Sequence, residues 1–426
     1  MLQSNRLTIE ETWGGLADPF ASERASAQVA PLVQLSVTSN LSEIEDEWRH
    51  FEVSADCTPF QTYDWLATWH RCIGSQTGVT AAIVTCRLST GKLLFVLPLA
   101  VERKGFVGQL TFLGHESCDY NAPLLAPDLA AHMSPVEFRS LWNSARRILQ
   151  KTAGCNHSLI LLDKMPERVG AQLNPMHALA TMLNPSGAHI TALGADWESF
   201  YAEKRSSTTR RRDRGKRKKL AEYGELRVTV PETEAEIQST LATLLEQKSR
   251  WFARLGVPDL FARPGHSDFF KAIACSGKHF VHVSRLDVGT TCAAASLGLM
   301  FRNCYYYILA SYDDGPLSRF GPGVAHLHEL MNHAIVQGCD RFDFTIGDES
   351  YKSDWADTKI YLYDHVSGAT LFGRIVAAAV IARLRVKRSI KNSPNVGCGL
   401  SLRPHISVHG RSPSTTGHNR CSVASG

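Results

Sequence analysis

The chain has 426 residues, 44% of them hydrophobic and 20% charged, enough apolar material for two ordinary domains with their own cores, which excludes global disorder. Its formal net charge of +5 is unevenly spread: Glu203 to Lys219 holds ten Lys and Arg against two acids, nine Lys and Arg but no acid follow Asp364, and about −12 is left on the remainder. An acidic body with two local basic patches excludes a uniformly basic surface of the kind that coats nucleic acid.

The eleven cysteines are scattered and never spaced as CxxC, and Cys86, Cys292 and Cys304 fall in apolar strand-like runs, where cysteine acts as a small hydrophobe. A reducing cytosol without a zinc site is expected. The N-terminal sequence MLQSNRLTIEETWGGLADPF lacks a basic region followed by an apolar core, so it does not read as a secretory signal. The late apolar run Ile375 to Leu384 contains Arg383 and is far shorter than the roughly 20 residues of a spanning helix. These features predict a cytoplasmic protein.

Residues 1–30 and 392–426 are polar, aperiodic or rich in Ser, Gly, Pro, His and Asn and are expected to be disordered. Between them the chain opens with a strand (Pro31 to Val37), a helix capped near Asn40 and Ser42, and a second helix bearing Trp65 and Trp69 at i, i+4. Two strands, TAAIVTCRL and LLFVLPLAVERK, follow around the turn STGK. A third strand then leaves through the loop of LTFLGHESCDYNAPLLAPD, ahead of the helix PVEFRSLWNSARRILQKTA and the strand HSLILLDKM. Strand, helix, strand after a hairpin predicts a mixed α/β sheet.

After the strand GAHITAL the order repeats. Helices are expected over Trp197 to Tyr223, Thr233 to Leu255 and His266 to Ser276, then strands in HFVHVSRLDVG, TTCAAASLGLMFRN and CYYYILASYD, a helix from Pro322 to Gln337 and a strand from Arg341 to Ile346. LLFVLPLAVERKGFV against AAASLGLMFRNCYYY is the best local match between the halves, so duplication is argued from element order. The expected domains are residues 31–190 and 191–374, followed by a basic helix over 375–391.

The region DDGPLSRFGPGVAHLHELMNHAIVQGCDRFDFTIGDESYKSDWA carries the chemistry. Val324, Leu327, Met331, Ala334 and Ile335 form one apolar helix face closed by Gly338, with Pro322 in the first turn. Gly321 and Gly323 permit a tight turn and close ligand approach at the positive end of that helix, an arrangement suited to a pyrophosphate; a Gly-Pro-Gly turn that merely starts a helix fits the same residues. The strand RFDFTI alternates Phe342, Phe344 and Ile346 on one face and delivers GDESYK beside the helix start.

This order resembles the acyl-CoA-binding core of the GNAT acetyltransferase superfamily. GPGVAHLHELMNHAIVQGCDRFDFTIGDESYKSDWA, with FQTYDWLATW, LPLAVERKGFVGQLTFLG and DYNAPLLAPD upstream, is similar to the CelD/BcsL-type acetyltransferases, relatives of the FemAB transferases, over about Pro31 to Arg374. The resemblance implies tandem GNAT-like acyltransferase domains, the second holding acetyl-CoA or another acyl-CoA as cosubstrate through Arg319, Phe320, Gly321, Gly323 and Val324. It departs from the general phosphate loop: Ser318 rather than Arg319 falls at the first position, and Pro322 removes one amide.

A GNAT-type reaction needs a base for the acceptor amine and a proton donor for the departing thiolate. Asp348, where the chain leaves a core strand, is the first candidate for base or amine-positioning carboxylate, and Glu349 the second; Asp348 as a turn cap is equally compatible. Tyr351 is the candidate donor, and Lys352 a candidate for a substrate carboxylate or phosphate. Trp251 is a candidate lining residue of an acceptor groove, although its spacing also fits a core aromatic. His326 and His328 have no third ligand at a recognisable spacing, so no metal is expected.

The basic stretch RSSTTRRRDRGKRKKL has no interleaved aromatic, unlike most nucleic-acid modules, so no specific nucleic acid is expected. A solvated face, a contact for phosphate-bearing ligands through Arg210 and Arg212, and an anionic membrane surface remain as readings. The sequence therefore predicts a cytosolic acyl-CoA-dependent N-acetyltransferase acting on an amine or hydroxyl of a polar acceptor. The name-giving relatives imply exopolysaccharide or envelope synthesis. A FemAB-like transferase using aminoacyl-tRNA and a non-catalytic CoA- or anion-binding regulator are the alternatives.

Overall fold

The computed structural model describes residues 7–11, 33–277 and 279–392. It contains two large mixed sheets, of nine and seven strands. In the first, Leu7–Glu11, Val33–Thr38, Thr80–Leu88, Leu93–Lys104 and Val107–Phe112 run antiparallel in sequence order; Leu159–Pro166 then joins Val107–Phe112 in parallel. The second repeats the pattern. Leu226–Thr229, Val281–Val288, Thr291–Phe301 and Cys304–Tyr312 are antiparallel, and Arg341–Ile346 adds in parallel to Cys304–Tyr312.

In each sheet the parallel strand follows a long amphipathic helix, Pro135–Lys151 in the first and Pro322–Val336 in the second, as a parallel crossover requires. Leu93–Lys104 and Thr291–Phe301, the strands containing the best-matching sequences, occupy equivalent places. The mixed α/β architecture with two similarly ordered sheets is the fold class expected from the sequence.

The two sheets exchange strands. Leu362–Gly368, late in the chain, pairs antiparallel with Leu159–Pro166 of the first sheet. Ala188–Ala192, from the middle of the chain, pairs with Arg341–Ile346 of the second. One apolar core crosses between them: Trp48, Phe60 and Trp65 share a cluster with Leu241, Leu244, Phe269 and Ile308, and Trp65 meets Phe269 edge-on at 5.0 Å.

Three local readings change. Leu7–Glu11, expected to be disordered, forms an edge strand on Val33–Val37; the rest of 1–30, and 393–426, lie outside the described residues. The helix expected over Trp197 to Tyr223 breaks at Arg205 into Trp197–Lys204 and Ser207–Ala221, because Ser206 accepts a bond from Thr209 N–H and starts a new helix. The late helix begins earlier than expected, spanning Leu371–Asn392. Gly373 lets it approach Ser158, whose carbonyl oxygen would lie 1.7 Å from any Cβ there.

Candidate active site

The strands Cys304–Tyr312 and Arg341–Ile346 pair only from Cys304↔Arg341 to Tyr306↔Asp343. Beyond that register the sheet opens. Thr345 adopts a left-handed backbone (φ 58°), a conformation that costs a non-glycine residue about 1 kcal/mol or more. Asp343 holds this turn by accepting from Thr345 N–H at 2.7 Å, while Tyr120 of the first half donates to the same carboxylate at 2.9 Å. Burial pushes the Asp343 carboxyl up to about 7, against those donors, which favour the ionised form.

A cleft of about 1450 Å³ opens beside this region, bounded by the basic helix Ser207–Ala221, the start of Pro322–Val336, and Asp348 to Trp355. It exceeds the roughly 300–1,000 Å³ of ordinary small-molecule pockets. Gly321 is left-handed (φ 68°) and serves as N-cap of the 15-residue helix. Much of the turn's hydrogen bonding is internal: Gly321 N–H donates to Ser318 O, and Val324 and Ala325 N–H donate to Gly321 O. Pro322 has no amide, so Gly323 supplies the remaining one.

Side-chain cations compensate for this thin cradle. A Cβ on Gly321 would stand 3.8 Å from Lys216 Nζ, and Arg212, Arg214 and Arg217 line the cleft with it. Two ion or hydrogen-bonding contacts orient the basic helix. Asp213, its lone acid, accepts from Tyr201 Oη at 2.8 Å, and Arg217 pairs with Glu329 at 2.6 Å. The helix thus presents cations to the open end of a helix dipole, a site suited to phosphates.

Trp197, Tyr201 and Trp355 form a stacked wall at the cleft, with Trp197 to Tyr201 at 4.9 Å and Tyr201 to Trp355 at 5.9 Å. His328 packs against all three, and burial pulls its imidazole down to about 4, leaving it neutral. His326 donates to or accepts from Ser284 Oγ at 3.0 Å inside the core. Among the described residues no group of three His, Cys, Asp or Glu converges as a metal site.

Of the residues singled out in the sequence, Asp348, Glu349, Tyr351, Phe320, Gly321, Gly323, Val324, Trp251 and Arg212 line this one cleft. Arg319 stands outside the lining, donating to Tyr223 Oη at 2.9 Å, and Arg210 is also outside it. Lys352 is fully buried: Nζ donates to Ile346 O at 2.9 Å and pairs with Glu349 at 3.1 Å. Its ammonium satisfies carbonyls at the end of the open strand. Asp348 is paired with Lys359 at 2.7 Å and faces His189 Nε2 at 3.4 Å. Burial raises the Tyr351 hydroxyl well above its ordinary pKa, so it stays protonated.

Lys248 was not anticipated. It projects from the helix Glu234–Leu255, is 1% exposed, and holds its ammonium 5.6 Å from the Trp251 ring centre, beside Ser311 and Tyr312 of the opened strand. Burial pulls it down to about 7, although Glu349 favours its charged form.

Residues 207–353 match the family described as "Acetyltransferase (GNAT) domain". Most of the cleft's lining falls within this matched segment, whose family is one of acyltransferase enzymes. No curated protein matches the chain. Among solved structures, FemX is similar with a TM-score of 0.51 at 12% identity, over 76% of this chain and 96% of that one. L-PGS from Bacillus licheniformis scores 0.44 at 12% identity, over 71% and 88%. A tandem GNAT protein from the clavulanic acid biosynthesis pathway scores 0.43 at 12% identity, over 79% and 99%. The FemX likeness supports the fold; the two lower scores add nothing to it.

Proposed function

We propose that the chain transfers an acyl group from acyl-CoA to an amine or hydroxyl of a polar acceptor. The observation that carries this reading is the juxtaposition of Lys216 with Gly321, at the start of a long helix and the mouth of an opened parallel strand pair. Gly323, Lys216, Arg212 and Arg217 would hold the phosphates of the cosubstrate. Supplying its thioester to the cleft lets an acceptor attack the carbonyl directly, without a covalent enzyme intermediate.

In this reading Lys248, neutral in part near pH 7 and set behind Trp251 and Tyr312 of the cleft wall, takes up the proton that the attacking amine releases, and Tyr351 donates one to the departing sulfur. Asp348, held by Lys359, positions the acceptor's amine. Glu349 acts on Lys352 and, through the field it creates, on Lys248. Within the GNAT class, the glycine turn, Phe-Asp-Phe strand and Gly-Asp-x-x-Tyr-Lys support a CelD/BcsL-type enzyme supplying a cell-envelope polysaccharide pathway.

The test is calorimetric titration with acetyl-CoA, followed by thiol release with pooled envelope precursors. Binding that disappears in Gly323→Glu, together with acceptor-dependent thiol release, is expected. Transfer of an amino acid from charged tRNA in place of acyl-CoA turnover would establish the FemAB-like alternative, and CoA binding without turnover on any acceptor would leave a regulatory protein.

A further inference from the structure

The helix Leu371–Asn392 packs on the first sheet through Val376, Ala377, Val380, Ile381 and Leu384. At about 100° per residue, its opposite side carries a second apolar stripe: Leu371 (79% exposed), Ile375 (71%) and Val386 (58%), continued by the exposed Ala378, Ala379 and Ala382. Phe372 and Ile390 border the stripe and are also exposed. A helix apolar on two opposite faces, one of them facing solvent, is not accounted for by folding alone.

Cations flank the outward stripe on both sides. Arg374 and Arg385 project along one edge and Arg383 along the other, all exposed, and after Asp364 the sequence contains no acid. This charge pattern selects the occupant. A second copy docked on the same face would set arginine against arginine with no carboxylate from this segment to pair. Residues 393–426 have no acid with which to neutralise the flanks. A surface that is apolar beneath a layer of negative charge satisfies both features together.

We propose that Leu371–Asn392 is an in-plane docking helix for an anionic bilayer, with Leu371, Ile375 and Val386 entering the acyl boundary and Arg374, Arg383 and Arg385 meeting the phosphates. Among the described residues no helix is long and apolar enough to cross a membrane, so the helix lies along the surface. The exposed Phe106 adjoins Val107, which packs against the same helix.

The proposal is tested by co-sedimentation of the full chain with phosphatidylcholine vesicles and with vesicles also containing phosphatidylglycerol. At least about tenfold tighter binding to the anionic vesicles is expected, weakening with salt. Ile375→Gln/Val386→Gln removes apolar contact without adding charge and is expected to reduce binding about tenfold with an unchanged melting temperature. Arg374→Gln/Arg383→Gln reads the charge independently, with a loss of similar size expected. No binding to either vesicle, equal binding to both, undiminished binding in both variants, or a dimer that Ile375→Gln/Val386→Gln dissociates would each overturn it.

Discussion

Tyr120 donates its hydroxyl to both carboxylate oxygens of Asp343, at 2.9 Å each, across 223 positions of sequence. The bond joins the loop of the first half to the strand whose turn opens the cleft. Because Asp343 also holds Thr345 N–H, loss of the tyrosine hydroxyl affects an inter-half contact and the backbone of the site together. Tyr120→Phe is expected to cost about 1–3 kcal/mol in urea unfolding. The cost should be greater at pH 8 than at pH 5, because the buried carboxyl, pushed up to about 7, is ionised only at the higher pH.

Buried histidines give stability an acid limb. His282 and His326 are pulled down to about 3 and His328 to about 4, chiefly by burial. The unfolded chain takes up protons below about pH 6.5 that these folded imidazoles refuse, so their contribution to stability falls as pH drops from about 6.5 toward 4. Asp343 and Asp364, both raised to about 7, act in the opposite sense over about pH 4 to 7, because their folded carboxyls retain protons that the unfolded chain releases. Glu52, also raised to about 7, and Asp119, raised by burial, join the carboxyl side, but burial also lowers His70, His157, His177, His266, His333 and His365, so nine imidazoles outweigh four carboxyls in the shared window. A lower melting temperature at pH 5 than at pH 7 is expected, with the drop made smaller by His326→Gln and larger by Asp343→Asn.

Periodicity made the helices and strands legible, because each buries one face on a sheet, and the glycine turn and GDESYK converge on one cleft as their order implied. Strand exchange was not legible: apolar alternation in Leu362–Gly368 and Ala188–Ala192 states that a strand is half-buried without naming its neighbour. Lys352 read as a contact for a substrate carboxylate or phosphate, but the carbonyls left at the opened strand draw it inward. Lys248 did leave a signal. It follows Leu241, Leu244 and Leu245 and precedes Phe252 on the buried face of one helix, a position where a lysine is rarely placed for packing alone.

Lys216→Glu tests the cation opposite Gly321. Reversing that charge beside the helix start is expected to weaken CoA binding about tenfold or more at low salt, with the difference shrinking as ionic strength rises. Calorimetry at two salt concentrations reads both effects, and unchanged affinity would remove Lys216 from the phosphate site.

Lys352→Met tests whether the buried ammonium serves structure. Its removal leaves Glu349 and the Thr345 and Ile346 carbonyls without their cation, and a loss of about 3–5 kcal/mol in unfolding free energy is expected. A variant as stable as the parent, but impaired in acceptor binding, would instead mark Lys352 as a substrate contact.

Lys248 is best examined through the pH dependence of kcat/KM. A lysine that must be neutral to accept a proton gives a rate that rises with pH and levels off above its pKa, here about 7. Lys248→Met should flatten that limb and lower turnover roughly 10²–10⁴-fold, while leaving CoA affinity near the parent value because Lys216 and the glycine turn line the cleft and Lys248 lies behind its wall. Glu349→Gln supplies the second reading. Glu349 favours the charged form of Lys248, so its neutralisation should move the rising limb to lower pH, a shift that a purely structural lysine would not produce. An unmoved limb in Glu349→Gln, or a retained limb in Lys248→Met, would assign the titration to another group.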